Sequence, residues 1–358
     1  MKLNFKSIAS IALSSAVATA GLVALPANAA TKNLTVETVF QLTSTDPARS
    51  FEQTGNMINR TIYETLLTYK GGDASTPVPG IASKWKVNDG ATEFTFTIDP
   101  KAKFADGTKV TSADVVFSLN RLKNVKGNPS SLMNGITVTA PNASTAVLTT
   151  EKATPQVLAI VTSPALGILN SKVVKANGGS DAADAKDTDK ALDFLKTKSV
   201  GSGPYVLKSF NLTTEVVLEK NASYWGANKA GYDKIIVRNV PVNVQRLNVI
   251  KGTSSIAVDL SPDQASGVGS KVNVVTGKAS NVFFFYLSQN SAFSPATKFT
   301  ADPKCIEAAR YGINYKKIVR YAGLGAIQAP GIIPSFFSGA LTQKDAIKQD
   351  TARAKAAF

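Results

Sequence analysis

Histidine is absent from the 358 residues, and cysteine occurs once, as Cys305. Without histidine the chain cannot form a Ser-His-Asp triad, a Cys-His pair, a histidine general base or a His-ligated metal site. One cysteine cannot close an internal disulfide or supply a four-thiolate zinc or iron–sulfur site. A phosphate loop is lacking too, because Gly201-Ser202-Gly203-Pro204 has neither the lysine nor the helix such a loop needs. Nor is there a nucleophile elbow, and Gly and Pro interrupt Ser199 to Lys208, so no Ser-Lys dyad is read there. Beyond the first thirty residues no run is long and apolar enough to span a bilayer. The longest strongly apolar run, Val282–Leu287, has strand length and predicts a strand.

What is present is a globular composition, 44% hydrophobic and 18% charged, over a length that suits two domains. Net charge is +15. The excess is spread along the chain, with 12 basic and 5 acidic residues over 263–358, and no arginine-rich or aromatic-studded basic run. Nucleic acid is therefore not expected as a partner.

The start has the order of an export signal. Lys2 and Lys6 precede any acid, Ile8 to Leu25 is apolar and small, and Pro26-Ala27-Asn28-Ala29 offers small residues where a signal peptidase reads. A cut after Ala29 or Ala30 is expected. A lipoprotein signal would need a cysteine at the cut, and none is there.

Patterning predicts mixed strands and helices. Leu34–Phe40 alternates as a first strand, and Asp46-Pro47 opens a loop. Met57, Ile58, Ile62, Leu66 and Leu67 predict a helix over 56–69, closed by Gly71-Gly72. Strands at Trp85–Val87 and Glu93–Ile98 pair across Asn88-Asp89-Gly90, and Asp106-Gly107 is a second turn. Thr111 or Ser112 caps a helix with Asp114 in its first turn and Val115, Val116, Leu119 and Leu122 inward. A hairpin follows at Ile136–Val138 and Ala146–Thr149 about Pro141-Asn142. Residues 177–190 read as a polar surface loop. Strands at Tyr205–Phe210, Glu215–Glu219 and Lys234–Val240 and a helix at Glu307–Ala322 complete the pattern. Trp85, Phe94, Phe96 and Phe117 read as core. Asp114 and Glu64 could pass for a catalytic pair, but they fall in different helices and nothing places them together.

Several segments in fixed order resemble the family 5 extracellular solute-binding proteins of ABC importers. They are Thr45-Asp46-Pro47; Ile62-Tyr63-Glu64-Thr65-Leu66-Leu67; Pro79 through Trp85 with Phe94-Thr95-Phe96; Lys103-Phe104-Ala105-Asp106-Gly107-Thr108; and Ser112-Ala113-Asp114-Val115-Val116-Phe117-Ser118. Gly201-Ser202-Gly203-Pro204-Tyr205 with Asn221-Ala222-Ser223-Tyr224-Trp225, a weaker match at Gly252–Ala257, and Ile306–Asn314 with Lys316-Lys317-Ile318 continue the set. Ala105 stands where the family usually has histidine, and Ser255 where it has aspartate.

The resemblance implies an α/β, two-lobed periplasmic-binding-protein-like fold of the large peptide-binding type (class II). Its first lobe would run over 30–262 with an inserted subdomain at about 52–197, and its second lobe would begin at 263. Family members are longer, and residues 350–358 resemble the start of a mid-chain family helix. The second lobe is therefore expected to be incomplete, its residues poorly packed and ligand affinity weak. The implied function is capture of a peptide or other small solute (a nickel chelate or a sugar being open alternatives) and delivery to membrane permease subunits. It needs no enzyme activity, no metal and no cofactor, and suits an exported monomer in the periplasm or outside the cell. Ser50, Phe51, Glu52 and Gln53 match in position a family segment that binds ligand through its backbone, and Gln289 and Asn290 stand where another faces the cleft. The rival readings are an exported hydrolase and a surface protein binding an anionic polymer.

Overall fold

The computed structural model of the chain describes residues 31–357 except 72, 74, 278–281, 291, 293, 294, 296, 324 and 336–338. The leader expected over residues 1–29 lies outside the described residues.

Strand β1 (Asn33–Thr38) leads into α1 (Gln53–Ile62), then the short β2 (Leu67–Thr68) and β3 (Val78–Pro79). Next come β4 (Ala82–Val87), β5 (Glu93–Ile98), α2 (Ser112–Val125), β6 (Ile136–Asn142) and β7 (Thr145–Thr150). Short helices α3 (Val157–Ile160), α4 (Ser171–Ala176), α5 (Ala185–Thr188) and α6 (Leu192–Thr197) precede β8 (Tyr205–Phe210), β9 (Glu215–Lys220) and β10 (Lys234–Asn239). Then follow α7 (Val242–Lys251), β11 (Ile256–Ala257), α8 (Pro262–Ser266), α9 (Thr297–Thr300), α10 (Pro303–Gly312), α11 (Tyr315–Ala322) and α12 (Thr351–Ala356).

Two sheets result. The first runs β11-β1-β10-β9-β8, with β1 parallel to both neighbours and β10, β9 and β8 antiparallel. The chain leaves this sheet after β1 and returns at β8. In between it builds the second sheet, β4-β5-β7-β6, antiparallel throughout. Parallel pairing of β1 with β10 requires such a long crossover. The architecture is α/β, as expected.

Each sheet has its own core, and α2 serves both. Phe94, Phe96 and Leu148 of the second sheet pack with Val115, Leu119 and Leu122 of α2 and with Phe104 and Met133. Phe117, on another side of α2, joins Ile58 and Ile62 of α1 and Leu195 against Tyr205, Leu207, Val216, Leu218 and Val237. Helix α2 starts as its sequence predicts: the Asp114 carboxylate accepts the Thr111 amide at 2.9 Å and the Thr111 hydroxyl at 2.7 Å. Both cores draw only on residues up to Val237. Past Pro262 the buried hydrophobics among the described residues are Val268, Ala308 and Ala354. No helix among the described residues is long and apolar enough to cross a membrane.

Several expectations are corrected. The helix over 56–69 stops at Ile62, and Tyr63 is extended (φ −114°, ψ 141°). Tertiary hydrogen bonds override the helical spacing there: Thr65 and Leu66 carbonyls accept amides of Ile81 and Ala82, and the Glu64 carbonyl accepts that of Ile168. The helix over Glu307–Ala322 is two helices, because Asn314 caps α11 by accepting the Lys317 amide at 2.9 Å. Val282–Leu287 lies in no strand; Phe283 is 96% and Tyr286 80% exposed. The loop over 177–190 is not wholly at the surface, since Ala185 and Asp189 are buried. In the hairpin after β4 the left-handed residue is Ala91 (φ 47°), while Asn88 closes the turn by accepting the Thr92 and Glu93 amides. Trp85 is half-buried at the rim of the first core rather than inside it.

Phe94, Phe96 and Phe117 are fully buried, so they are core residues as read. Phe96→Ala should lower unfolding free energy by about 3–5 kcal/mol in urea titration. A loss below about 1 kcal/mol would mean that the site collapses to fill the space.

Candidate functional site

The segment between β1 and α1, together with the first residue of α1, holds four of the six residues expected to face a solute. Its path is set by side chains that bond their own backbone. The Ser44 hydroxyl accepts the Asp46 amide at 2.9 Å, and the Thr45 hydroxyl donates to the Leu195 carbonyl at 2.8 Å. Asp46 makes the turn: its carboxylate accepts the Ala48 amide at 3.1 Å, and its carbonyl accepts those of Arg49 and Ser50 at 3.0 Å. Glu52 then folds back. It accepts the Thr43 hydroxyl at 2.6 Å, the Ser50 hydroxyl at 2.9 Å and the Phe51 amide at 3.0 Å. Gly55 must lack a side chain, because a Cβ there would lie 1.8 Å from the Ser50 hydroxyl oxygen.

This arrangement sorts the four residues. Ser50 is buried, with its hydroxyl already on Glu52, so it has only backbone to offer. Phe51 is 41% exposed, Gln53 is exposed and Glu52 half-buried. No side chain caps α1, so the first amides of that helix lack internal partners, as at any helix start. The Ser50 and Phe51 amides are spent on the Asp46 carbonyl and the Glu52 carboxylate, so the segment presents the Gln53 carboxamide, the Phe51 ring and the helix start, which suits a ligand carrying carbonyl groups and apolar side chains.

Gln289 and Asn290 are exposed and follow the Phe283–Tyr286 run, in which the Phe284 and Tyr286 rings are 6.4 Å apart. The Asn290 side chain accepts the Ala292 amide at 3.0 Å. Among the described residues no hydrogen bond joins these two positions to Ser50–Gln53. Asp114 and Glu64 have separate partners: Asp114 bonds the Ser171 hydroxyl and amide, whereas Glu64 accepts Tyr224 Oη at 2.9 Å and Trp225 Nε1 at 2.6 Å. The Glu64 clamp folds the Tyr224-Trp225 loop back, and Trp225 packs on the first core. Ala105, where histidine was expected, is tied down by its amide on the Gly201 carbonyl at 3.0 Å, a bond any residue can make.

Two charged clusters escaped the sequence reading. One is Glu64 with its tyrosine and tryptophan. The other lies beneath the loop: Arg121 of α2 is wholly buried and grips the carboxylates of Asp46 and Asp189. Burial by itself would raise the Asp189 carboxyl, but the bonds and charge of Arg121 outweigh it and hold that carboxyl below its ordinary range. Arg121 was detectable in principle, as a cation four residues after Phe117 on the inward side of a helix.

Comparison with known proteins places the fold. The family model described as bacterial extracellular solute-binding proteins, family 5 Middle, matches residues 76–358. The chain is 31% identical over 254 residues to a probable D,D-dipeptide-binding periplasmic protein of Escherichia coli, covering 69% of this chain and 47% of that relative. It is 26% identical over 338 residues to the glutathione-binding protein of Salmonella typhi, covering 93% of this chain and 61% of that relative. Among solved structures, the periplasmic binding protein DppA of Helicobacter pylori in complex with peptide STSA superposes with a TM-score of 0.69 at 20% identity, over 91% of this chain and 66% of that one. The substrate-binding protein CtaP of Listeria monocytogenes gives 0.73 at 18% identity, over 91% and 64%. The fold is that of the extracellular solute-binding proteins. Within that class the chain belongs to family 5. It spans about half to three fifths of the length of these curated relatives.

Burial, the largest influence, raises the Glu64 carboxyl above its ordinary range against the bonds that hold it charged. A raised acid in the folded state binds its proton more tightly than in the unfolded chain. Its contribution to stability therefore falls as pH rises from about 4.3 through the raised value. Glu64→Gln lacks this loss, so its melting temperature relative to the parent should be higher at pH 7 than at pH 4. A pH-independent difference would show that Glu64 carries its charge at no cost.

Proposed function

We propose that this chain is the exported solute-binding component of an ABC importer, capturing a peptide between two lobes and delivering it to membrane permease subunits. The observation that supports this most is membership of family 5, whose relatives matched here are named for binding a dipeptide and glutathione. The loop at Ser50–Gln53 fits the reading, because it offers backbone groups that recognise any peptide while leaving side chains free to vary. Gln289 and Asn290 would contribute from the second lobe, which begins near Pro262, with about 52–197 as the inserted subdomain of the first. Contacts to both lobes would favour the closed form, and the permease would read that form. The role is capture without chemistry, by a monomer.

A melting-temperature screen of the 358-residue chain against di- to pentapeptides, sugars, nickel chelates and polyanions tests the ligand class. Peptides should raise the melting temperature with the logarithm of their concentration, corresponding to about 2.7 kcal/mol of stabilisation at a hundredfold excess over Kd. Since little is buried beyond Pro262, millimolar peptide is the concentration to use. Stabilisation by polyanions alone, falling steeply with salt, would replace capture with charge-driven binding.

Export is tested separately. Mass spectrometry of protein secreted by a bacterial host should find an amino terminus at Ala30 or Thr31. An intact Met1 would end the export reading.

A further inference from the structure

We propose that Arg121 is the positioning residue of the solute-facing loop, holding Ser50–Gln53 in place from beneath through Asp46 and Asp189. The inference rests on the reading of that loop as ligand-facing.

The geometry is specific. Nη1 and Nη2 of Arg121 each lie 2.7 Å from one oxygen of Asp46, while Nε and Nη2 lie 2.7 and 2.9 Å from Asp189. All three side chains have no exposure. Arg49 completes a neutral quartet, its Nη2 3.2 Å from Asp189. Asp189 also accepts the Ser180 amide at 3.0 Å, tying in the loop between α4 and α5. The fork therefore joins α2 to two segments, 75 and 68 residues from Arg121 in sequence.

Buried ion clusters of this kind add little net stability, since desolvation offsets the attraction. What this one does is fix geometry. Asp46 directs three consecutive turn amides, those of Ala48, Arg49 and Ser50, and the next residue is the exposed Phe51. The carboxylate of Asp46, which holds the Ala48 amide, cannot rotate to suit that amide alone, because a planar fork on a packed helix sets its plane, and the Asp46 carbonyl holds the other two amides. At the end of α2 the backbone meets the same turn: a Cβ on Gly127 would lie 2.2 Å from the Ala48 carbonyl oxygen. One helix thus sets the turn from two points, and Glu52 transmits the position to α1.

Hydrogen exchange of the full chain tests this. Arg121→Lys keeps the charge but loses the fork. In the absence of ligand, amides over 46–53 should exchange at least about tenfold faster in this variant, while β5 and the centre of α2 keep parental rates. Asp189→Asn is the milder variant, should Arg121→Lys fail to fold, and should loosen 46–53 and 178–190 together. A pool of di- to pentapeptides should protect Ser50–Gln53 in the parent and protect it less, at equal concentration, in either variant. Parental exchange at 46–53 in the variants, or acceleration spread evenly over both sheets, overturns the positioning role. Absence of peptide protection in the parent overturns the ligand-facing premise instead, and it is read from a different sample.

Discussion

The Arg121 guanidinium has no route to water. Every one of its nitrogens faces a carboxylate at hydrogen-bond distance, and the two carboxylates come from the two ends of the stretch between β1 and β8. A charge so placed cannot be left single, because an unpaired ion in that environment would cost several kcal/mol. Helix α2, the turn after β1 and the loop before α6 must therefore arrive together or not at all. Since α2 also forms a wall of both hydrophobic cores, the ion cluster and the two sheets constrain one another. Apolar packing supplies the driving force here, and the ions choose among the arrangements that packing would allow.

Much of this was legible from residue order. Residue patterning found β1 and β4 to β10, and in β5, β7, β8 and β9 burial alternates as it must in a strand that buries one face. The Thr111–Asp114 spacing found the start of α2 because a cap is a local interaction. Failure came where distant backbone decides the outcome. Tyr63 to Leu67 keeps helical spacing, yet carbonyls in that stretch are claimed by Ile81, Ala82 and Ile168, which no local pattern reveals. The same holds for Val282–Leu287. Its composition is that of a strand, but a strand needs a neighbour, and none pairs with it among the described residues.

The candidate site was legible in position and not in chemistry. Resemblance located Ser50–Gln53 after the first strand. It did not say that Ser50 would face inward, because that depends on Gly55 leaving room for its hydroxyl. Asp189 was lost inside a stretch of small polar residues, where one buried acid looks like any exposed one. Its partner carried the stronger signal, since an arginine on the inward side of a helix demands an acid from somewhere. The identity of that acid is a property of topology.

The two tryptophans of the chain, Trp85 and Trp225, both pack against the first core, and the Trp225 indole donates to the buried Glu64 carboxylate. Tryptophan emission, excited at the red edge where tyrosine does not absorb, is therefore a local gauge. It follows the β4-β5-β7-β6 sheet and its surroundings, and carries no direct signal from the residues beyond Pro262 or from the turn at Ser50–Gln53. A tryptophan placed at Phe51 would give the loop its own colour, distinct from that of the core.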